Sequence, residues 1–284
     1  MRSGMNKSAV RLQSWAALAA VIAAACLGFA APASAQYKPR TISDPATGEK
    51  YHIEAGADFW MPTAEMTVSS ESLGIQGSQI NLKRDLGLTD QRFRALQLQL
   101  RPARSHKFRF EYVPVSYTQS ATLNQRIVFN GIAYDLGVPV NSSLDWKTYQ
   151  FGYEYDFVVK NSGFAGFILE AKYTDVKVTL ARPLADTEFA HARGPIPAIG
   201  GIGRYYVMPN ISITGEVSAF KIPDSIDSRY NAHYIDIDVY STLNFTTNIG
   251  VKAGYRSRDV GYLIKSDSGA FVMKGIYFGG VLRY

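Results

Sequence analysis

The chain has 284 residues, 30 Lys plus Arg against 24 Asp plus Glu, a formal net charge of +6 and a single cysteine. This length fits one or two domains, and a β-barrel can use roughly 200 to 250 residues as one unit. One cysteine excludes a disulfide framework or a cysteine-based zinc site, and the modest basic surplus forms no stripe that would track phosphates.

Part of that surplus belongs to the N-terminus. Arg2, Lys7 and Arg11 precede an uncharged apolar run over residues 15–31, followed by Pro32-Ala33-Ser34-Ala35 before Gln36. A positive n-region, a short apolar stretch and an A-x-A site define a cleavable secretory signal over residues 1–35. The run is short for a membrane anchor and no stop-transfer cluster follows it. Cys26 has Ala23 where a lipobox would place Leu, which argues against lipidation. Cleavage lowers Lys plus Arg from 30 to 27 against 24 acids, leaving a mature charge of +3 and no cysteine.

Residues 36–49 form a polar, turn-rich lead-in around Asp44-Pro45 and Thr47-Gly48. Beyond residue 50 apolar positions alternate at period two, the signature of β-strands with one apolar face. The first run sets Tyr51, Ile53, Ala55, Ala57 and Phe59 against His52, Glu54, Gly56 and Asp58, with Pro62 bending its far end before a loop over residues 69–90. Leu96, Leu98 and Leu100 mark the second run, and Phe108, Phe110 and Tyr112 the third, which is read as continuing past Pro114 to Phe129. Asn130-Gly131 is a two-residue hairpin signal. The fourth run returns from Ile132 and ends in the strongest stripe, Tyr149, Phe151, Tyr153, Tyr155 and Phe157.

Phe167, Leu169, Ala171 and Tyr173 form the fifth run, followed by a long loop over residues 181–197 that takes a helical turn after Pro183. The sixth run carries Ile199, Tyr205 and Val207, the seventh Ile211, Ile213, Val217 and Ala219, and the eighth Ile235, Ile237 and Val239. Ile249, Val251, Ala253 and Tyr255 make the ninth, with a loop over residues 259–270. The tenth places Ile276, Phe278, Gly280, Leu282 and Tyr284 on one face. Links near 102–106, 159–163, 208–210 and 244–248 are short, whereas those near 69–90, 181–197, 222–230 and 259–270 are longer. An even strand number puts both ends of the sheet on the side of the short links and lets the last strand close on the first.

A signal sequence, alternating strands throughout, alternately short and long links and a Gly-x-x-x-Tyr ending resemble the small bacterial outer-membrane β-barrel proteins. The resemblance implies an all-β fold, a transmembrane antiparallel up-and-down β-barrel over residues 50–284, with ten strands and eight or twelve as alternatives. It also implies that Gly280, Leu282 and Tyr284 form a signal read by the barrel assembly machinery. Outer-membrane lipid is the expected surrounding and the monomer the expected state. A soluble periplasmic barrel is the competing reading. It is disfavoured because charge recurs so regularly on the second face, with no other apolar surface in view.

That second face carries nine acids, Glu54, Asp58, Glu111, Glu154, Asp156, Glu170, Glu216, Asp236 and Asp238, and nine bases, Arg101, Lys107, Arg109, Lys172, Arg204, Lys252, Arg256, Arg258 and Arg283. Charges withdrawn from water must be paired, and a narrow barrel holds little water. The expectation is a plugged lumen whose charge network includes Asp236, Asp238, Arg256, Arg258, Glu154, Asp156, Glu170, Lys172 and Arg204. A structural or surface-interaction role follows, with a narrow channel for small polar solutes as the alternative. Asp236 and Asp238 have the spacing of a metal or acid/base pair, but Arg256 and Arg258 on the next strand are placed to neutralise them. A hydrolase resembling the omptins would need an Asp-His pair and two further Asp near the outer rim, for which His233 with Asp224 and Asp227 supplies part. Gly200-Gly201-Ile202-Gly203 is not a nucleotide loop, since no helix follows. No cofactor is expected.

Overall fold

The computed structural model describes residues 46–69, 77–129, 131–181, 187–222, 230–264 and 267–284. Residues 1–35, expected above to be an export signal, most of the lead-in, and Asp224 and Asp227 lie outside them. Ten long strands form one antiparallel sheet. They are β1 (Ile53–Ser69), β3 (Phe93–Ala103), β4 (His106–Thr122), β7 (Pro139–Lys160), β8 (Gly163–Ala181), β9 (Thr187–Met208), β10 (Ile211–Lys221), β11 (Tyr230–Asn244), β12 (Ile249–Ile264) and β13 (Asp267–Arg283). Each pairs with the next, and β13 pairs with β1 from Glu54↔Arg283 to Ser69↔Ser268, so the sheet closes and leaves no edge along β1.

Four short connections, after Ala103, Lys160, Met208 and Asn244, share one end, here called lower, with the start of β1 and the end of β13. The upper end carries the β1–β3 and β4–β7 connections. The first contains β2 (Ile80–Asn81), which pairs with the top of β1, and the single-turn helix α1 (Leu82–Leu86). Asn81 caps α1 by accepting from the Arg84 amide, and Gly87 ends it at φ +67°. The second contains the hairpin β5 (Ile127–Phe129) and β6 (Ile132–Tyr134), turned by Gly131 at φ +81°. This hairpin is a separate two-stranded sheet, so the third run ends at Thr122 and does not continue to Phe129.

Strand lengths correct two further expectations. Residues 187–197 belong to β9 and pair with β8 through Thr187↔Ala181, so the loop reading does not hold over 187–197, while the helical turn expected after Pro183 lies outside the described residues. Pro195 and Pro197 obscured this strand. They are tolerated because registered pairing with β10 begins only at Ile199, so no ladder bond to β10 is lost at either. Likewise β12 and β13 run to Ile264 and from Asp267, filling most of the presumed 259–270 loop.

The barrel wall is apolar outside only in its lower half. On β8, Phe167, Leu169, Ala171 and Tyr173 point outward; from Asp175 upward the outward residues are Asp175, Lys177 and Thr179, while Val176, Val178 and Leu180 turn inward and are buried. On β7 the outward Tyr149 to Phe157 stripe gives way to Lys147, Asp145 and Ser143, with Leu144 and Trp146 inside. The side chains keep their faces, but the apolar parity inverts. The upper half is therefore built as a water-soluble barrel with its own core, joined by Trp60, Met66, Val113, Val115, Tyr117, Phe271 and Met273 and capped by Leu82, Leu86, Ile127, Phe129 and Tyr134. This is the second apolar surface that regular alternation concealed.

The outward band is bounded by aromatic rows. Tyr112, Tyr149 and Tyr173 are register partners across three strands, and the first two stack at 4.8 Å. Tyr153, Tyr155, Phe157, Phe167 and Tyr205 ring the lower end. From Tyr149 to Phe157 is about 26 Å along the strand, close to the ~25 Å apolar band of membrane barrels before tilt is taken into account.

Candidate functional site

Below the apolar core the lumen is filled by charge. The β11–β12 register puts Asp236 opposite Arg258 and Asp238 opposite Arg256. Arg258 donates to Asp236 at 2.8 and 3.1 Å, and Arg256 to Asp238 at 2.8 and 3.2 Å. Arg256 also reaches across to β4, donating to Glu111 at 2.6 Å, and Arg258 meets Glu111 at 3.5 Å. Tyr234 and Tyr277 donate to Asp236 and Asp238.

On β8, Lys172 pairs with Glu170 at 3.0 Å, reaches Asp236 at 3.6 Å and donates to Ser218 at 2.9 Å. Lower still, Lys107 bridges Glu154 at 2.5 Å and Asp156 at 2.8 Å, and Arg109 spans from β4 to Glu216 on β10 at 2.6 Å. Lys252 pairs with Asp58 at 2.9 Å and donates to Gln97. Asp58 has room because its register partner is Gly279, where a Cβ would strike the carboxylate. Arg283 meets Glu54 at 2.5 Å. The nine acids of this face are each within ion-pair distance of a base.

Arg101 and Arg204 are served by a residue that strand periodicity could not reveal. Glu49, at the end of the lead-in, inserts into the lower mouth and accepts from Arg204 and Tyr206, each at 2.8 Å, with Arg101 at 3.4 Å. Burial acts against its charge, but the Arg204 guanidinium outweighs this and holds the carboxyl below its ordinary value. The Thr47 amide donates to Pro209 O at 2.7 Å, and Asn244 donates to Thr47 O at 2.7 Å, so the lead-in is strapped across the mouth. Its local polarity and Gly48, at φ +87°, were the available signal. Within the charged zone a cavity of about 40 Å³ remains, lined by Gln97, Arg109, Glu111, Lys252 and Arg256, room for a few waters.

The histidines do not enter this network. His191 pairs with Asp175 at 2.7 Å and His233 with Asp259 at 3.2 Å, both on the outer wall. His106 meets Tyr153 OH at 2.6 Å, and His52 contacts Arg101 O at 3.3 Å. No cluster of three metal-ligating side chains occurs among the described residues. Gly280 and Leu282 lie on β13 opposite Ala57 and Ala55, and Tyr284 is 85% exposed beyond the strand end.

No family model and no curated protein matches the chain. Among solved structures, it is similar to the outer membrane protease OmpT from Escherichia coli, with a TM-score of 0.51 at 8% identity over 82% of this chain and 97% of that one. The Yersinia pestis attachment invasion locus protein Ail matches at TM-score 0.37 and 8% identity, over 82% of this chain and 99% of that one. The Pseudomonas putida toluene transporter TodX matches at TM-score 0.36 and 9% identity, over 86% and 93%. The first likeness shows the fold: this is a ten-stranded barrel of the outer-membrane type.

Proposed function

We propose that this protein is an exported, integral outer-membrane barrel whose closed body serves a structural or surface-interaction role. The carrying observation is an apolar, aromatic-bounded outer band around an interior that, among the described residues, is packed apolar above and crossed by ion pairs below. Lipid satisfies the band, and closure of the sheet leaves no unpaired backbone in it. The short-turn end faces the periplasm, and the polar-walled upper half stands outside the cell, presenting the α1 and β5–β6 cap. Residues 1–35 act as the export signal. Gly280, Leu282 and Tyr284 are read by the assembly machinery, and the folded barrel is a monomer.

The test is conductance in planar lipid bilayers. Insertion of the heat-modifiable, folded protein is expected to leave the membrane silent. Stepwise ion currents from the wild type would replace this reading with a narrow channel.

A further inference from the structure

A cavity of about 470 Å³ opens at the lower mouth beneath the charge network. Its wall is assembled from the lead-in (Lys50, His52), the β3–β4 turn (Ala103, Arg104) and the β7–β8 turn (Val159, Lys160), with Phe164 and Arg101 also contributing. Its cations differ from those above. The lumen-facing bases of the network each have a carboxylate, whereas Lys50, Arg104 and Lys160 make no side-chain hydrogen bond or ion pair among the described residues. The one acidic side chain on the wall, Glu49, is already committed to Arg204, Tyr206 and Arg101. The Tyr284 carboxylate also borders the cavity, with one oxygen accepting from the amides of His52 and Ile53.

Three cations brought from three separate elements to one concavity outnumber the single Tyr284 carboxylate on its wall among the described residues, and create a positive potential focused by the low-dielectric wall. Val159, Ala103 and Phe164 add apolar surface beside them. The volume falls within the range of small-ligand sites and exceeds the needs of a bare anion. The pairing of an arginine fork with two ammonium groups suits a phosphate, which can accept from all three at once.

We infer that this vestibule binds a phosphate ester, with Lys50, Arg104 and Lys160 holding the phosphoryl oxygens and the Val159–Phe164 side taking the attached group. The phosphate could be carried by a phospholipid of the adjoining leaflet or by a soluble ester. Two arms separate these sources. The full-length folded protein in phosphate-free detergent is titrated calorimetrically with glycerol 3-phosphate. In parallel, phosphatidylglycerol retained through stepwise delipidation is counted by native mass spectrometry.

Saturable binding in at least one arm is expected, weakened at least tenfold in Lys50→Gln/Arg104→Gln/Lys160→Gln and unchanged in Lys147→Gln on the outer wall. Calorimetric binding identifies a soluble ester, and retention alone a lipid headgroup. Folding is checked by heat-modifiable migration. Should the triple variant fail to fold, Arg104→Gln and Lys160→Gln singly are each expected to weaken binding severalfold. No saturable binding in either arm, or variants within twofold of the wild type, would overturn the assignment.

Discussion

Replacing Arg256 by Met tests whether the lumen is held by its charges. Arg256 lies between Glu111 at 2.6 Å, Asp238 at 2.8 Å and Asp236 at 3.9 Å. At about 4 Å and an effective dielectric near 20, one such attraction is about 4 kcal/mol. Met fills much of the space but leaves two carboxylates short of a partner. Glu111 keeps Arg258 at 3.5 Å, whereas Asp238 keeps only the Tyr277 hydroxyl at 2.9 Å among its short contacts. Removing one member of a buried pair costs about 3–5 kcal/mol. The water-sized cavity beside Arg256 and Glu111 favours the lower figure, since water entering it would screen the stranded charge.

The measurement is equilibrium urea unfolding in phospholipid vesicles, followed by fluorescence of Trp60 and Trp146, the two tryptophans beyond residue 35. Arg256→Met should lower stability by about 3 kcal/mol with an unchanged denaturant slope. Adding Glu111→Gln and Asp238→Asn should restore most of it, because isosteric neutralisation of a buried network is often close to neutral. A single variant within about 1 kcal/mol of the wild type, or a triple variant as weak as the single, would refute the claim that these ions are desolvated and mutually dependent.

The boundary of the lipid band is testable on one strand face: Leu169→Arg should cost about 2–4 kcal/mol in vesicle unfolding, whereas Thr179→Arg, ten positions up the same face, should cost almost nothing. Equal costs would mean that the inversion of parity does not mark the water boundary. Because the folded-state pKa of Glu49 is depressed, its contribution is full above the ordinary glutamate value of about 4.3 and is lost as pH falls through the lower folded value. Amide-exchange protection of Thr47, corrected for intrinsic rates, should therefore persist at pH 4.3 and fall below it. Glu49→Gln should lack that step, and a step placed above pH 5 would contradict the assignment. Deleting Tyr284 should reduce heat-modifiable barrel in membranes while export continues, and normal barrel levels would remove this residue from the assembly signal.

The strand number and the closing pair were legible because lipid imposes a strong period-two pattern: Ile276, Phe278 and Leu282 can only face outward if Arg283 faces in, and Glu54 is its register partner. Hairpin pairing was equally legible, since a short link after Asn244 fixes Asp236 opposite Arg258. Less was readable where the environment outside the wall changes. On β4 the apolar residues shift from Phe108, Phe110 and Tyr112 to Val113, Val115 and Tyr117, and on β1 from Phe59 to Trp60, Ala64 and Met66. A reader expecting constant parity sees such a shift as a bend or a loop. On the membrane reading proposed above, it marks the place where the outer medium changes from lipid to water, so that outward Ser116 and Thr118 become favourable and the interior becomes the only dry side.

The same reasoning explains why the charged network stops where it does. In the lipid-facing zone the outer wall takes the apolar residues, so the lumen is left with polar ones, which must be mutually satisfied in a space too narrow for bulk water. Above the Tyr112–Tyr149–Tyr173 row the wall can be polar, and apolar side chains fill the interior at lower cost than paired ions. The last charged layer, Arg258 with Asp236 and Glu111, lies directly beneath that transition. Arg258 is 5.9 Å from the Trp60 ring and 5.9 Å from the Tyr234 ring, so its guanidinium meets aromatic faces at the base of the apolar core. On that reading lumen chemistry is set from outside, by the height of the membrane, which the sequence records as one change of parity per strand.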